Sequence, residues 1–367
     1  MAAPIPKPGV LDIQPYDPGP AGAPGAVIEL SQNEGALGPS PRAVAAFREA
    51  AGSLHRYPET SATTLRSAIG KRFALDPAGI VCGAASDQLI MLLVQAYAGA
   101  GDEVLFPQHS FVLYEMATRS HSATPVTAPL RGLRIDVDAL LARAGARTRI
   151  CIVTNPNNPT GMYMPAGEMR RLREGLPPQV LLLIDAAYSE FVVRDDYTAG
   201  AELVEARDDT VMLRTFSKIF GLAGLRLGWA YCPPPVADVL NRVRSTYTIS
   251  SAAIAAGIAA VEDVGSYERS VAHNTRCLAR LTAALTDLGL PVVPSVANFV
   301  LVEFPHEGPK GAAAAGAFLR TRGILVRSFG GSALPHHLRI SIGTDRELQA
   351  LLDALRDFLR SSEGGRP

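Results

Sequence analysis

The chain has no excess of charge of either sign. Lys plus Arg number 35 and Asp plus Glu number 35 among 367 residues, a formal net charge of zero. No basic stripe suggests a nucleic-acid surface, and no acidic tail suggests a charged partner. Cysteine is scarce and scattered: Cys82, Cys151, Cys232 and Cys277 form no C-x-x-C pair. Three of the four sit in apolar runs, which favours small buried core residues over disulfides or zinc ligands. A reduced, cytoplasmic protein is the expectation. No stretch approaches the roughly 20 apolar residues of a membrane span. Residues 1–25 are rich in Pro, Gly and Ala and lack the apolar core of a signal peptide. Neither G-x-x-x-x-G-K-[ST] nor G-x-G-x-x-G occurs, so no nucleotide loop of those kinds is expected. The seven histidines include His336-His337 but no H-E-x-x-H or comparable spacing, and no metal site is expected.

What is present is an apolar content of 47%, enough for a large core and two structural domains. Pro4, Pro6, Pro8, Pro15, Pro18, Pro20 and Pro24 break any early helix, so residues 1–30 read as an extended arm. Helical and strand-like segments then alternate. Pro41–Ala51 is a helix candidate with Ser40 as its cap. Ser61–Phe73, Gln88–Ala98, Phe111–Arg119 and Ala166–Glu174 are further helix candidates. Apolar runs at 80–82, 103–106, 125–128, 149–154, 180–184, 210–213 and 227–231 read as strands. Continuous β-branched and Leu runs separated by helices predict an α/β fold with a mostly parallel sheet covered on both faces. From residue 234 to 290 helices dominate, with a break near Ser250. Strands at 298–303, 323–327 and 338–342 and an apolar-striped last helix follow. The expected division is an arm over 1–35, a large domain over 36–250 and a small C-terminal α+β domain over 251–367.

In an open parallel sheet, ligands bind outside the carboxyl ends of the strands. Three strands end in pointed chemistry: Asn158 in Asn155-Pro156-Asn157-Asn158-Pro159-Thr160-Gly161, Asp185, and Lys218 in Thr215-Phe216-Ser217-Lys218. Taken singly, each has a plain reading as turn residue, helix cap or surface lysine. Taken together, they match the needs of pyridoxal 5′-phosphate. Lys218 offers an amine for Schiff-base formation with the aldehyde, and Asp185 a carboxylate for the pyridine nitrogen. Asn158 and Tyr188 offer hydrogen bonds to the ring oxygen. Ala85 and Ser86 at a helix start, with Ser217 and Arg226, offer a phosphate seat. Phe111 is the candidate ring plate, with Tyr114 or His109 as alternatives.

These segments identify the chain as similar to fold-type I, class I/II aminotransferases, and within them to histidinol-phosphate aminotransferases. The resemblance also rests on Pro8–Tyr16, Leu30-Ser31-Gln32-Asn33-Glu34, Arg56-Tyr57-Pro58, Asp185-Ala186-Ala187-Tyr188, Ala297–Val302 and Leu338–Gly343. The usual Asp-Glu-Ala-Tyr has Ala186 in its second place, and the usual Asn-Glu-Asn-Pro continues here as Gly35-Ala36. The resemblance implies that Lys218 is the Schiff-base lysine and proton carrier, with Asp185 and Tyr188 beside it. It implies that Arg339, aided by Arg327, grips the carboxylate or phosphate of the substrate, and that Asn33 lines the entrance. Tyr57 would reach the cofactor phosphate of a neighbouring subunit, giving a homodimer with composite sites. The implied reaction is ping-pong transamination between histidinol phosphate and 2-oxoglutarate in histidine biosynthesis. An aromatic amino acid aminotransferase and a threonine-phosphate decarboxylase share the scaffold. A non-catalytic protein of this fold would be expected to lack the lysine or carry a DNA-binding segment.

Overall fold

The structure is a computed structural model that describes residues 4–15, 27–329 and 334–361. Tyr16, Pro18, Pro20 and Pro24 of the expected arm lie outside the described residues. So do 330–333 and 362–367 of the expected C-terminal domain. The described part of the arm is not extended throughout. Val10–Asp12 makes a turn of 3-10 helix after Gly9, whose φ of 88° is the left-handed region glycine tolerates. Ile28–Leu30 is a strand.

Among the described residues, seven strands form one sheet in the order Ile80–Gly83, Gly228–Tyr231, Thr210–Thr215, Leu181–Asp185, Thr148–Thr154, Glu103–Pro107 and Thr124–Ala128. The run from Thr210–Thr215 to Thr124–Ala128 is parallel, and Gly228–Tyr231 is antiparallel to both of its neighbours. Both faces are covered. Leu89, Ile90 and Leu93 of the helix Ala85–Tyr97 pack with Val104, Ile150, Leu183 and Val211, while Met169 and Leu172 of Ala166–Gly175 pack with Cys151, Val153 and Leu182. Alternate strand residues thus enter opposite layers, which is why these strands carry uninterrupted apolar runs.

A second sheet runs Ile28–Leu30, Ile324–Ser328, His337–Ser341, Phe299–Glu303, Val292–Val293. The arm's strand therefore pairs, in parallel, with a strand near the other end of the chain. Leu348, Leu351, Leu352 and Leu355 of the helix Asp345–Ser361 close this core with Leu281 and Leu285 of Val264–Asp287. The four cysteines are free and buried. Among the described residues, no helix is long and apolar enough to cross a membrane.

Several element boundaries differ from the sequence expectation for local reasons. Ser40 caps Pro41–Ala50 through Ala43 N at 3.1 Å. The helix expected from Ser61 begins at Thr63, because the Glu59 carboxylate accepts from Thr63 N at 2.8 Å. The helix expected from Gln88 begins at Ala85, and the Gln88 side chain reaches back to Ala84 N at 2.8 Å. The break near Ser250 separates Pro234–Val243 from Ser251–Glu262, and a second break at Asp263 starts Val264–Asp287. Asp263 caps that helix through Ser266 N at 3.1 Å.

Candidate active site

Four adjacent strand or loop ends converge on one cavity of about 490 Å³. Its wall includes Asn33, Ser86, Phe111, Asn158, Asp185, Tyr188, Ser217, Lys218, Arg226 and Arg339. Asn158, Asp185 and Lys218 follow neighbouring parallel strands, so the carboxyl ends bring them to one edge. Arg339 comes from the second sheet, so the cavity lies between the two sheets.

Lys218 is half-buried, and its Nζ donates to the Gln32 carbonyl at 3.0 Å. Burial, reinforced by the Arg339 guanidinium, holds its amine down at about 8. Asp185 is buried at the end of its strand, and burial pushes its carboxyl up to about 6. Tyr114 opposes that push by donating to Asp185 Oδ2 at 2.7 Å. The single Tyr114 proton is thereby committed, so Thr154 Oγ1 donates to Tyr114 at 2.6 Å. Asp185 Oδ1 accepts from Ala187 N at 3.3 Å and retains a lone pair for a further donor.

Tyr188 lies 5.8 Å from Lys218 Nζ by ring centroid, and its hydroxyl accepts from Asn33 Nδ2 at 3.1 Å. Burial raises the Tyr188 hydroxyl, opposed by Arg339. Asn33, at φ 54°, is pinned to the second sheet by its own N–H on Ser341 Oγ at 2.8 Å. Arg339 is 8% exposed, donates to the Asn158 Oδ1 and to the Ser31 carbonyl at 2.6 Å, and lies 5.4 Å from the Phe299 ring. With its Oδ1 engaged, Asn158 has its amide donors to offer a ligand.

The opposite end of the cavity is built for an anion. Ala84, at the N-cap of the helix Ala85–Tyr97, has no polar side chain to cap the first turn, and Gln88 Oε1 takes only the Ala84 N–H, so the first-turn N–H groups have no intrahelical acceptor. Ser86 and Ser217 line the cavity beside it, and Arg226 donates to Ser217 Oγ at 3.5 Å. Arg226 also pairs with Asp87, which lines the same cavity, at 2.7 Å. Gly228 makes room for that helix start: a Cβ there would meet Ser86 N at 2.4 Å. A carboxylate that can face a pyridine nitrogen, an amine, a donor pair for a ring oxygen and an anion seat therefore share one cavity. This set fits pyridoxal 5′-phosphate.

Not every expected residue lies on this wall. Ala85 is buried directly behind Ser86, with φ 67°. Phe111 is on the wall, whereas its alternative Tyr114 is buried beneath it and His109 lines a separate surface cavity. Arg327 stands opposite Arg339 in the register of the second sheet but not on the cavity wall. Tyr57 is 80% exposed and stacks on Tyr247 at 4.3 Å between centroids, away from the cavity of its own chain. The sequence reading missed Tyr114 as the partner of Asp185. Nothing local marks that contact, which joins positions 71 residues apart. Gln32 as the acceptor for Lys218 is a backbone contact and left no signal.

Comparison with known proteins gives a consistent picture. Residues 26–355 match the family model described as aminotransferase class I and II. The histidinol-phosphate aminotransferase of Rhodospirillum centenum is 55% identical over 98% of this chain and 100% of its own. That of Paramagnetospirillum magneticum is 53% identical over 98% of this chain and 99% of its own. Among solved structures, the Sinorhizobium meliloti histidinol-phosphate aminotransferase in complex with pyridoxal-5′-phosphate superimposes with a TM-score of 0.85 at 29% identity, covering 92% of this chain and 91% of that one.

Proposed function

From the premise that the chain belongs to the aminotransferase class I and II family, we propose that it exchanges an amino group between L-histidinol phosphate and 2-oxoglutarate, giving imidazole acetol phosphate and L-glutamate. Such a reaction belongs to histidine biosynthesis in the cytoplasm. The enzyme is a transaminase dependent on pyridoxal 5′-phosphate. The observation that carries the reading is the meeting of Lys218, Asp185 and Arg339 on one cavity wall. The near-full-length identity to two histidinol-phosphate aminotransferases supports the substrate.

The cofactor supplies, when bound, an aldehyde for amines and an electron sink for charge developing at the substrate Cα. Lys218 Nζ is the amine that holds it. With substrate in the cavity, the same Nζ would take the proton from the substrate Cα. Its lowered value of about 8 keeps part of the amine neutral near pH 7. Asp185 would keep the pyridine nitrogen protonated, and Asn158 and Tyr188 would donate to the ring oxygen. Ser217, Arg226 and the N–H groups around Ala85 and Ser86 would bind the phosphate. Phe111 would cover a ring face and exclude water. Arg339 would take the carboxylate of glutamate and, in the other half-reaction, the phosphate of histidinol phosphate, because a guanidinium fork can donate to a pair of oxygens on either group. Asn33 and, from further back, Arg327 shape the substrate side.

The division into an arm, a large domain and a small domain at residues 35 and 250 belongs to the same proposal. So does a homodimer. Tyr57, Leu54 and Phe47 are exposed at 80%, 63% and 42%, and Tyr57 sits with Tyr247. A second copy would cover these side chains and let Tyr57 reach the phosphate of the neighbouring site. Half-reactions monitored by the visible absorbance of the bound cofactor test the substrate. Histidinol phosphate is expected to convert it to the amine form faster than phenylalanine, tyrosine or threonine phosphate.

A further inference from the structure

The two chain segments that bring Tyr188 and Lys218 to the cavity part company just below it. The strands Leu181–Asp185 and Thr210–Thr215 remain joined as far as Ala186 N on Leu213 O at 2.9 Å. Beyond that point one chain turns through Ala187 and Tyr188 and the other through Phe216 and Ser217. A buried ion pair spans the gap. Arg214 donates to Glu190 Oε1 through Nε at 3.0 Å and Nη2 at 2.7 Å. The two side chains are 9% and 1% exposed. Glu190 stands two residues after Tyr188, and Arg214 four residues before Lys218.

The surroundings hold the fork in one orientation. The Arg214 guanidinium lies 4.2 Å from the Phe73 ring centroid and 5.2 Å from that of Trp229. Ser189 Oγ donates to Glu190 Oε2 at 3.2 Å. A buried ion pair is a poor means of stabilising a core, since apolar side chains of similar volume do as well or better. Its geometry offers another role. A rigid two-donor contact on short leashes fixes the distance between the turn carrying Tyr188 and the turn carrying Lys218.

We propose that Glu190 and Arg214 are a positioning pair that sets Tyr188 against Lys218 around the cofactor ring, without touching cofactor or substrate. The proposal rests on the assignment of this cavity to pyridoxal 5′-phosphate. The pair acts before any substrate arrives, so its loss weakens cofactor binding and alters the bound cofactor's spectrum while leaving the fold intact.

Equilibrium dialysis of pyridoxal 5′-phosphate against the full chain reports cofactor binding without turnover and without relying on Trp229, which packs on Arg214. The test uses the full chain with Glu190→Gln and Arg214→Met combined, which removes both charges at similar volume. Arg214→Lys serves as a second variant that keeps the charge but loses the fork. The combined variant is expected to melt near the parent temperature, to bind pyridoxal 5′-phosphate about 10-fold more weakly, and to show a shifted pH midpoint of the visible band. Arg214→Lys is expected to fall between it and the parent on both readouts, and decides the matter if the combined variant does not fold. Parent-like dissociation constant and midpoint in the folded variants would overturn the positioning role. A parent chain that binds no cofactor would overturn the assignment of the cavity, and the positioning role with it.

Discussion

Replacing Tyr114 by Phe tests the electrostatics of the cavity floor with one atom. The variant removes the hydroxyl that donates to Asp185 Oδ2 at 2.7 Å and leaves the ring in place. A hydrogen bond to a buried carboxylate is worth about 1.5–3 kcal/mol, and one pKa unit corresponds to about 1.4 kcal/mol. The Asp185 carboxyl, already pushed up to about 6 by burial, should therefore rise by a further ~1–2 units. At pH 7 the ionised fraction would fall from about nine-tenths to between about one-half and one-tenth. Only the ionised form pairs with a protonated pyridine nitrogen, so the apparent dissociation constant for the cofactor should rise about 2- to 10-fold at pH 7. Near pH 9 the two proteins should converge. The cofactor-free protein shows the opposite side of the same linkage. A folded value of about 6 against a reference of 3.8 means that the native state binds the extra proton, so stability falls as pH rises from 3.8 to 6. The contribution is about 3 kcal/mol, and in the variant the falling window should extend to about pH 7–8. Equilibrium dialysis measured against pH reads the binding limb, and thermal melts of the cofactor-free protein read the stability limb. An acid limb identical in Tyr114→Phe and parent would refute the assignment of Tyr114 as the group that keeps Asp185 ionised.

Lys218→Ala should abolish turnover and the visible band of covalently held cofactor; borohydride-trapped cofactor on the variant would contradict the role of Lys218. In the parent, cofactor capture should quicken as pH rises through about 8, where the half-buried amine loses its proton. Arg339→Ala should raise the apparent KM for both glutamate and the phosphorylated substrate by about 10- to 100-fold, the loss of a charged hydrogen bond; steady-state kinetics showing both constants unchanged would remove Arg339 from the substrate site. Gly228→Ala places a Cβ 2.4 Å from Ser86 N, so the start of the helix Ala85–Tyr97 must move. Cofactor affinity measured by equilibrium dialysis should drop, and a parent-like value would show that this helix start is not the phosphate seat.

What the sequence made legible followed from local rules. Strand-end position put Asn158, Asp185 and Lys218 on one edge before any coordinates, because parallel strands separated by helices all deliver their carboxyl ends to the same side. Ser40 as a cap and the apolar runs of the large sheet were readable for the same reason. What stayed hidden depends on pairings between distant positions. Tyr114 meets Asp185 across 71 residues, Arg339 meets Asn158 across 181, and Ile28–Leu30 joins a strand near residue 324. Arg214 and Glu190 gave no signal as a pair, since a lone Arg in an apolar strand reads as an interruption until Phe73 and Trp229 are seen around it. Tyr57 is exposed on its own chain, so the role proposed for it rests on the proposed second copy.

The most direct measurement is a single-turnover panel on the purified, cofactor-loaded enzyme. Histidinol phosphate, phenylalanine, tyrosine and threonine phosphate are each mixed with it, and conversion of the bound cofactor to its amine form is followed by absorbance, with released CO₂ measured in parallel. The account predicts that histidinol phosphate gives the fastest conversion per unit concentration, with no CO₂ from any substrate. Equal or faster conversion by phenylalanine or tyrosine, or CO₂ from threonine phosphate, would contradict it.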